Sequence, residues 1–117
     1  MRREVKAIWD YTLDQIEFMR TASPADRDIL VAYCEAVADH RALSAELAKS
    51  DLLVTGSTGN LVANPLIQRK TDLARTIARL GAEFGLTPRA RAEFDVPAPP
   101  GPAPDGEQRD PLRLLTA

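Results

Sequence analysis

The sequence is short of aromatic residues, of cysteine and of long apolar runs, and each shortage narrows what the protein can be. Aromatic residues make up 5% of the chain, so a core must be built mainly from Leu, Ile, Val and Ala, which suits packed helices. The single cysteine, Cys34, excludes a disulfide within the chain and is predicted to be a small buried hydrophobe. No run approaches the roughly 18 apolar residues of a membrane span. We therefore expect a soluble, cytosolic protein with no membrane partner, forming one domain at most.

The charge balance argues against a protein that coats nucleic acid as a monomer, because the net charge is −2. The charges are unevenly distributed. Residues 1–50 carry seven basic and nine acidic side chains, residues 51–94 carry six and four, and residues 95–117 carry two and four. The middle part is therefore the only net basic one.

The sequence also lacks the residue sets on which enzymes and metal sites depend. Its one histidine, His40, has no second histidine, cysteine or carboxylate at metal-ligand spacing, so we expect an interior or interface residue. The glycine-rich residues 56–60 lack the GK[ST] ending of a phosphate loop, and no helix follows directly. We therefore expect no catalytic residue, no metal and no cofactor.

Helical periodicity and helix-start signals predict an all-α fold with a long central helix. A first helix is predicted over residues 2–19. The second begins with Ser23 as cap and Asp26 as its reciprocal partner, and residues 25–49 continue without Gly or Pro. Its length of about 37 Å predicts packing against two partners or a neighbouring subunit. Its predicted apolar stripe consists of Ile29, Leu30, Tyr33, Val37, Leu43 and Leu47.

Periodicity fails between residues 52 and 62, which predicts a β-hairpin or extended loop that could pair with its copy in a neighbouring subunit. A third helix then starts with Asn64 as cap and ends at Gly85. A short fourth helix with Thr87 as cap follows. The third helix has an apolar seam, interrupted by a lysine on the same face, that suits packing on the second helix: Leu66, Leu73, Ile77, Leu80 and Phe84.

Two basic clusters are candidate DNA-binding surfaces. The first lies at the start of the first helix and consists of Arg2, Arg3 and Lys6. The second is spread around the third helix and consists of Arg69, Lys70, Arg75 and Arg79. The alternative, which the pattern favours for both clusters, is a solvated surface with local ion pairs. Arg89 and Arg91 could contact DNA or bridge to acids on the first two helices.

The remaining residues, 95–117, are predicted to be a disordered tail after a helical domain over residues 1–94. Its first part is proline-rich and suits an extended spacer. It ends in an apolar patch with Leu112, Leu114 and Leu115. Such a patch on a flexible tether is typical of a docking peptide, although a frayed tail without a partner fits the same residues.

Several of these signals occur together in a known order. They are Trp9 in the first helix, Ser23, Pro24 and Asp26 opening the second, Asn64 and Pro65 opening the third, and a Gly-Leu-Thr-Pro-x-x-Arg close from Gly85 to Arg91. This order resembles the small terminase subunits of tailed bacteriophages, in the P27 family, over about residues 5–94. One departure is Ala90, where the family usually has a serine.

The resemblance implies a non-enzymatic DNA-packaging factor in the cytoplasm of the infected host. Proteins of this kind assemble as rings, recognise viral double-stranded DNA and pass it to the large terminase subunit, which carries the ATPase and nuclease activities. The acidic net charge favours a different hypothesis, a helical adaptor or assembly protein that never contacts nucleic acid.

Overall fold

A computed structural model describes residues 1–99 and confirms a mostly helical fold with one β-hairpin. The elements are α1 (Arg3–Met19), a 3-10 turn (Pro24–Asp26), α2 (Arg27–Leu47), β1 (Leu53–Thr55), β2 (Leu61–Ala63), α3 (Pro65–Glu83) and α4 (Pro88–Phe94). The predicted docking residues Leu112, Leu114 and Leu115 lie outside the described residues.

The predicted helix starts are confirmed. The backbone N–H of Ser23 donates to the carboxylate of Asp26 at 2.9 Å, and the Thr87 hydroxyl oxygen accepts from the backbone N–H of Ala90 at 3.1 Å. These bonds satisfy polar groups that a helix start leaves without an intrahelical partner.

Helix α2 is shorter than predicted, because its first turn tightens into a 3-10 turn and its α-helical part covers 21 residues. At the other end the Ser50 hydroxyl donates to the Glu46 carbonyl at 2.8 Å, which competes with continuation of the helix. The resulting length is about 31 Å. It remains the longest helix of the described residues.

The predicted end of α3 is also confirmed. Gly85 adopts φ 76°, a left-handed conformation that favours glycine. The backbone N–H of Leu86 then donates to the Gly81 carbonyl at 2.9 Å. Leu86 packs against the core, as expected for the residue that follows such a glycine.

The core lies where α2 packs against α1 and α3. Its buried side chains are Val5, Ile8, Ile16, Leu30, Cys34, Ala38 and Phe84. Cys34 is fully buried, which confirms its prediction as a small core hydrophobe. The prediction for Ile29 was wrong, since 47% of this residue is exposed. The buried line on α2 runs instead through Leu30, Cys34 and Ala38, at intervals of one helical turn.

Beyond this core the molecule continues as a thinner extension. An ion pair between Arg2 and Asp39 places the start of α1 beside the middle of α2. Among residues 39–80 only Asn64 is buried, with 7% of its surface exposed. We call residues 40–80, which comprise the end of α2, the hairpin and most of α3, the distal arm. Within a single chain the part of the apolar seam that lies in this arm, Leu66, Leu73, Ile77 and Leu80, is only half-buried.

Candidate nucleic-acid interface

The structure gives the N-terminal basic cluster local acidic partners. The Arg2 guanidinium donates to the Asp39 carboxylate at 2.8 Å. That hydrogen bond, together with the charge of Asp39, raises the pKa of Arg2. The Lys6 ammonium donates to the Asp10 carboxylate one turn along α1. Arg3 is exposed and has no ion pair within residues 1–99. Two of the three cations are therefore already engaged.

The arginines of α3 are less engaged. Arg69, Arg75 and Arg79 are all exposed. The nearest acid to any of them is Asp72, whose carboxylate lies 3.9 Å from the Arg75 guanidinium. For Arg69 and Arg79 there is no acidic partner within 4.0 Å in the described part of the chain. These side chains can therefore reach an anionic ligand without first breaking a short ion pair.

Helix geometry sorts the four cations of α3 into different faces. At about 100° per residue, Arg75 and Arg79 stand one turn apart, opposite the apolar seam. Arg69 lies on one flank. Lys70 lies on the seam and is half-buried, as the sequence predicts. An anion approaching the outer side of the helix meets the three arginines before it meets this lysine.

The arginines of α4 have roles that sequence reasoning missed. The Arg91 guanidinium donates to the backbone carbonyl of Gly85 at 3.0 Å, and Arg89 lies 3.5 Å from Glu93 on its own helix. Neither bridges to acids on α1 or α2, as one alternative proposed. Arg91 instead satisfies an acceptor just beyond the end of α3, where intrahelical donors are absent. A basic residue shortly after a helix-ending glycine is the sequence signal for this.

The same end of α3 is fixed from a second side. The Thr21 hydroxyl, in the connection between α1 and α2, donates to the Phe84 carbonyl at 2.6 Å. Phe84 itself is 2% exposed. Helix α3 is therefore anchored at its C-terminal end, while its arginines extend along the distal arm.

Asn64 connects the hairpin to α3. Its side-chain oxygen accepts from the Leu66 N–H at 3.1 Å, which caps the helix. Its side-chain amide donates to the Asp51 carbonyl at 3.0 Å, and its backbone N–H donates to the Leu52 carbonyl at 2.8 Å. One buried residue thus starts α3 and closes the neck of the hairpin.

The glycine-rich turn closes the hairpin, and the two strands are antiparallel. Gly59 has φ 83°, and the Gly56 N–H donates to the Asn60 carbonyl at 2.7 Å. The structural role predicted for residues 56–60 is therefore confirmed. Residues 1–99 contain no group of three or more His, Cys, Asp or Glu side chains that could hold a metal ion. None of the helices in this part of the chain is long and apolar enough to cross a bilayer.

Comparison with models of known protein families gives a match. The family model described as "Phage terminase, small subunit" matches residues 5–100. No curated protein matches the chain, and neither does any solved structure. The match does not resolve the P27 assignment, which stays a prediction. It covers most of the sequence and reaches from the first turn of α1 to beyond α4, so the chain belongs to the phage terminase small subunit family and has a role in phage packaging.

Proposed function

We propose that the protein is the ring-forming DNA-recognition factor of a phage packaging machine. It binds viral double-stranded DNA and delivers it to the large terminase subunit in the host cytoplasm, and it carries out no catalysis itself. Family membership supports the packaging role. The observation that carries the DNA-binding part is the exposure of Arg69, Arg75 and Arg79, of which Arg69 and Arg79 have no acidic partner within 4.0 Å among residues 1–99 and Arg75 has only a 3.9 Å contact with Asp72.

The charges of α3 make this helix a better candidate for the DNA-binding surface than the start of α1. Helix α3 contains four basic residues and two acidic ones, Asp72 and Glu83. Arginine suits phosphate because its planar guanidinium presents several N–H donors to the phosphate oxygens. Phosphate contacts of this kind supply most of the sequence-independent affinity for DNA.

An oligomer reconciles these arginines with the net negative charge of the chain. A ring repeats the α3 surface once per subunit, so that contacts too weak to hold one subunit act together on one duplex. The half-buried seam of the distal arm supports such an assembly. In one isolated chain Leu66, Leu73 and Ile77 keep part of their apolar surface in water, and a neighbouring subunit removes that exposure.

The test is a pair of matched double variants, each of which removes two positive charges per subunit. Arg75→Gln with Arg79→Gln alters the outer face of α3, and Arg2→Gln with Lys6→Gln alters the N-terminal cluster. Duplex binding is measured by fluorescence anisotropy at several salt concentrations. We expect the α3 variant to weaken binding by roughly tenfold or more and to flatten the salt dependence, whose slope falls by about 0.9 per lost phosphate contact. We expect the N-terminal variant to bind nearly as the wild type does.

If the N-terminal variant instead weakens duplex binding more than the α3 variant does, the DNA-binding surface is the N-terminal cluster. A wild-type protein that binds no duplex even at low salt would support the second candidate function, an assembly adaptor without nucleic-acid contact, which the net charge of −2 favours.

We propose that Leu112, Leu114 and Leu115 contact the large subunit. Deleting residues 107–117 should leave the number of subunits in the particle unchanged and weaken its association with the large subunit in a pull-down with purified proteins. Association at full strength after the deletion would show that docking uses another surface.

A further inference from the structure

The hairpin of the distal arm has two open edges. Strands β1 and β2 pair only with each other in the described chain. The register pairs Leu53 with Ala63, Val54 with Val62 and Thr55 with Leu61. A lone two-stranded hairpin is marginally stable in water, so a protein that keeps one on the surface usually has a use for its edges.

The hydrogen-bond pattern identifies which groups point outwards. The bonds from Gly56 N–H to the Asn60 carbonyl and from Asn64 N–H to the Leu52 carbonyl lie at the two ends of the ladder. Antiparallel ladders alternate between bonded and non-bonded pairs. The pair of Val54 and Val62 therefore bonds inwards, and the pairs on either side of it turn their backbone groups outwards. The outward-facing residues are Leu53 and Thr55 on the β1 edge, and Leu61 and Ala63 on the β2 edge.

These edges have none of the usual protection against pairing with another chain. Natural edge strands carry charged side chains, prolines or bulges. Residues 52–63 contain no charged residue and no proline. Leucines next to the edges are also exposed, with exposed fractions of 66% for Leu52, 57% for Leu53 and 68% for Leu61.

We propose that the hairpins of neighbouring subunits pair edge to edge, with β2 of one copy beside β1 of the next. This inference rests on the oligomer of the proposed function and assigns part of its interface. The two edges match in length, since each presents two outward-facing residues spaced two apart. Because β1 and β2 run antiparallel, a copy placed beside the first by rotation about a ring axis sets β2 next to an antiparallel β1. Every edge in a closed ring is then paired, which removes the open edges altogether.

The charge distribution favours a second copy over other partners. A surface without charge cannot neutralise phosphates, so it does not suit DNA. It also cannot use the electrostatic complementarity that selects a charged partner. An uncharged apolar hairpin meets no repulsion from its own copy. It also continues directly into α3, whose half-buried seam supports contact with a neighbouring subunit on the same arm.

The test compares the concentration at which the particle dissociates in the wild type and three variants. Ala63→Pro removes an outward N–H and leaves the inward-bonded Val62 and Asn64 in place. Leu61→Lys puts a charge beside the edge, and Thr58→Lys puts the same charge in the turn as a matched control. Particle mass is followed by light scattering over a dilution series, with helix content checked by circular dichroism. We expect the first two variants to dissociate at roughly tenfold higher protomer concentration and the control to follow the wild type.

The outcomes separate this inference from the function on which it rests. If Ala63→Pro and Leu61→Lys dissociate at the same protomer concentration as the wild-type particle, hairpin pairing is overturned. The ring and its DNA binding would not be affected by that result. A wild-type protein that is monomeric throughout the series would overturn the ring itself. Unchanged dissociation of Ala63→Pro together with an altered duplex affinity of this variant, which changes no charge, would assign the hairpin to DNA and also overturn the pairing.

Discussion

Replacing Asn64 with alanine tests whether one buried side chain holds the hairpin and α3 together. The substitution removes the cap bond to the Leu66 N–H and the bond to the Asp51 carbonyl. The backbone bond from residue 64 to the Leu52 carbonyl remains possible. The change therefore weakens the neck of the hairpin without deleting the strands.

The expected loss follows from the two bonds. A lost N-cap costs about 0.5–2 kcal/mol, and a lost hydrogen bond between partly buried groups costs about 0.5–1.5 kcal/mol. We expect Asn64→Ala to lower the free energy of unfolding by about 1–3.5 kcal/mol. Asn64→Ser keeps an acceptor for the cap and loses the amide donor to Asp51. It should recover about 1 kcal/mol of that loss.

The assay is urea unfolding at one protomer concentration, combined with amide hydrogen exchange over residues 52–63. Holding the concentration fixed matters because oligomerisation contributes to apparent stability. Thr87→Ala is the matched control, since it removes the equivalent cap bond to Ala90 at the start of α4. The control should lose a similar cap energy without faster exchange in the hairpin. Equal hairpin exchange in Asn64→Ala and Thr87→Ala would refute the role given to Asn64.

Two further predictions concern the end of α3 and the core. Arg91→Ala should lower the free energy of unfolding by about 1–2 kcal/mol, because the Gly85 carbonyl loses a charged donor, while Arg89→Ala changes it little; equal effects in urea unfolding would contradict this assignment. Burial raises the pKa of the Cys34 thiol and of the Tyr33 phenol. At a pH where these groups ionise in the unfolded chain, both stay protonated in the folded chain. Their contribution to the free energy of unfolding is therefore complete below about pH 9 and is lost as the pH rises through their folded-state pKa values. A melting temperature that stays level from about pH 8 to about pH 11 would contradict this.

The parts of the fold that sequence predicted best are those controlled by neighbouring residues. The caps at Ser23, Asn64 and Thr87 and the left-handed Gly85 each depend on a few adjacent positions, where side-chain hydrogen bonding and backbone sterics dominate. The hairpin was predictable for the same reason, because a glycine-rich turn interrupts two apolar runs.

The parts that sequence did not predict depend on contacts between distant segments. Arg2 and Asp39 are 37 residues apart, and their ion pair exists only because α1 packs beside the middle of α2. The exposure of Ile29 has a similar cause. Periodicity alone does not say which of two adjacent apolar residues faces the neighbouring helix.

The candidate DNA surface was predicted from the sequence only in part. Sequence identified both basic clusters, since composition and helical spacing are local properties. It did not rank them, because the ranking depends on which cations have acidic partners in the fold. The ion pairs of Arg2 and Lys6, and the lack of an acidic partner within 4.0 Å of Arg69 and Arg79 among residues 1–99, are the basis of the ranking that we propose.

The mass of the wild-type particle, measured by native mass spectrometry with and without a DNA duplex, tests the central proposal most directly. The proposed function predicts a multiple of the 12.8 kDa protomer larger than a dimer, which gains the mass of the duplex when DNA is added at low salt. A particle of one protomer that takes up no DNA would contradict it.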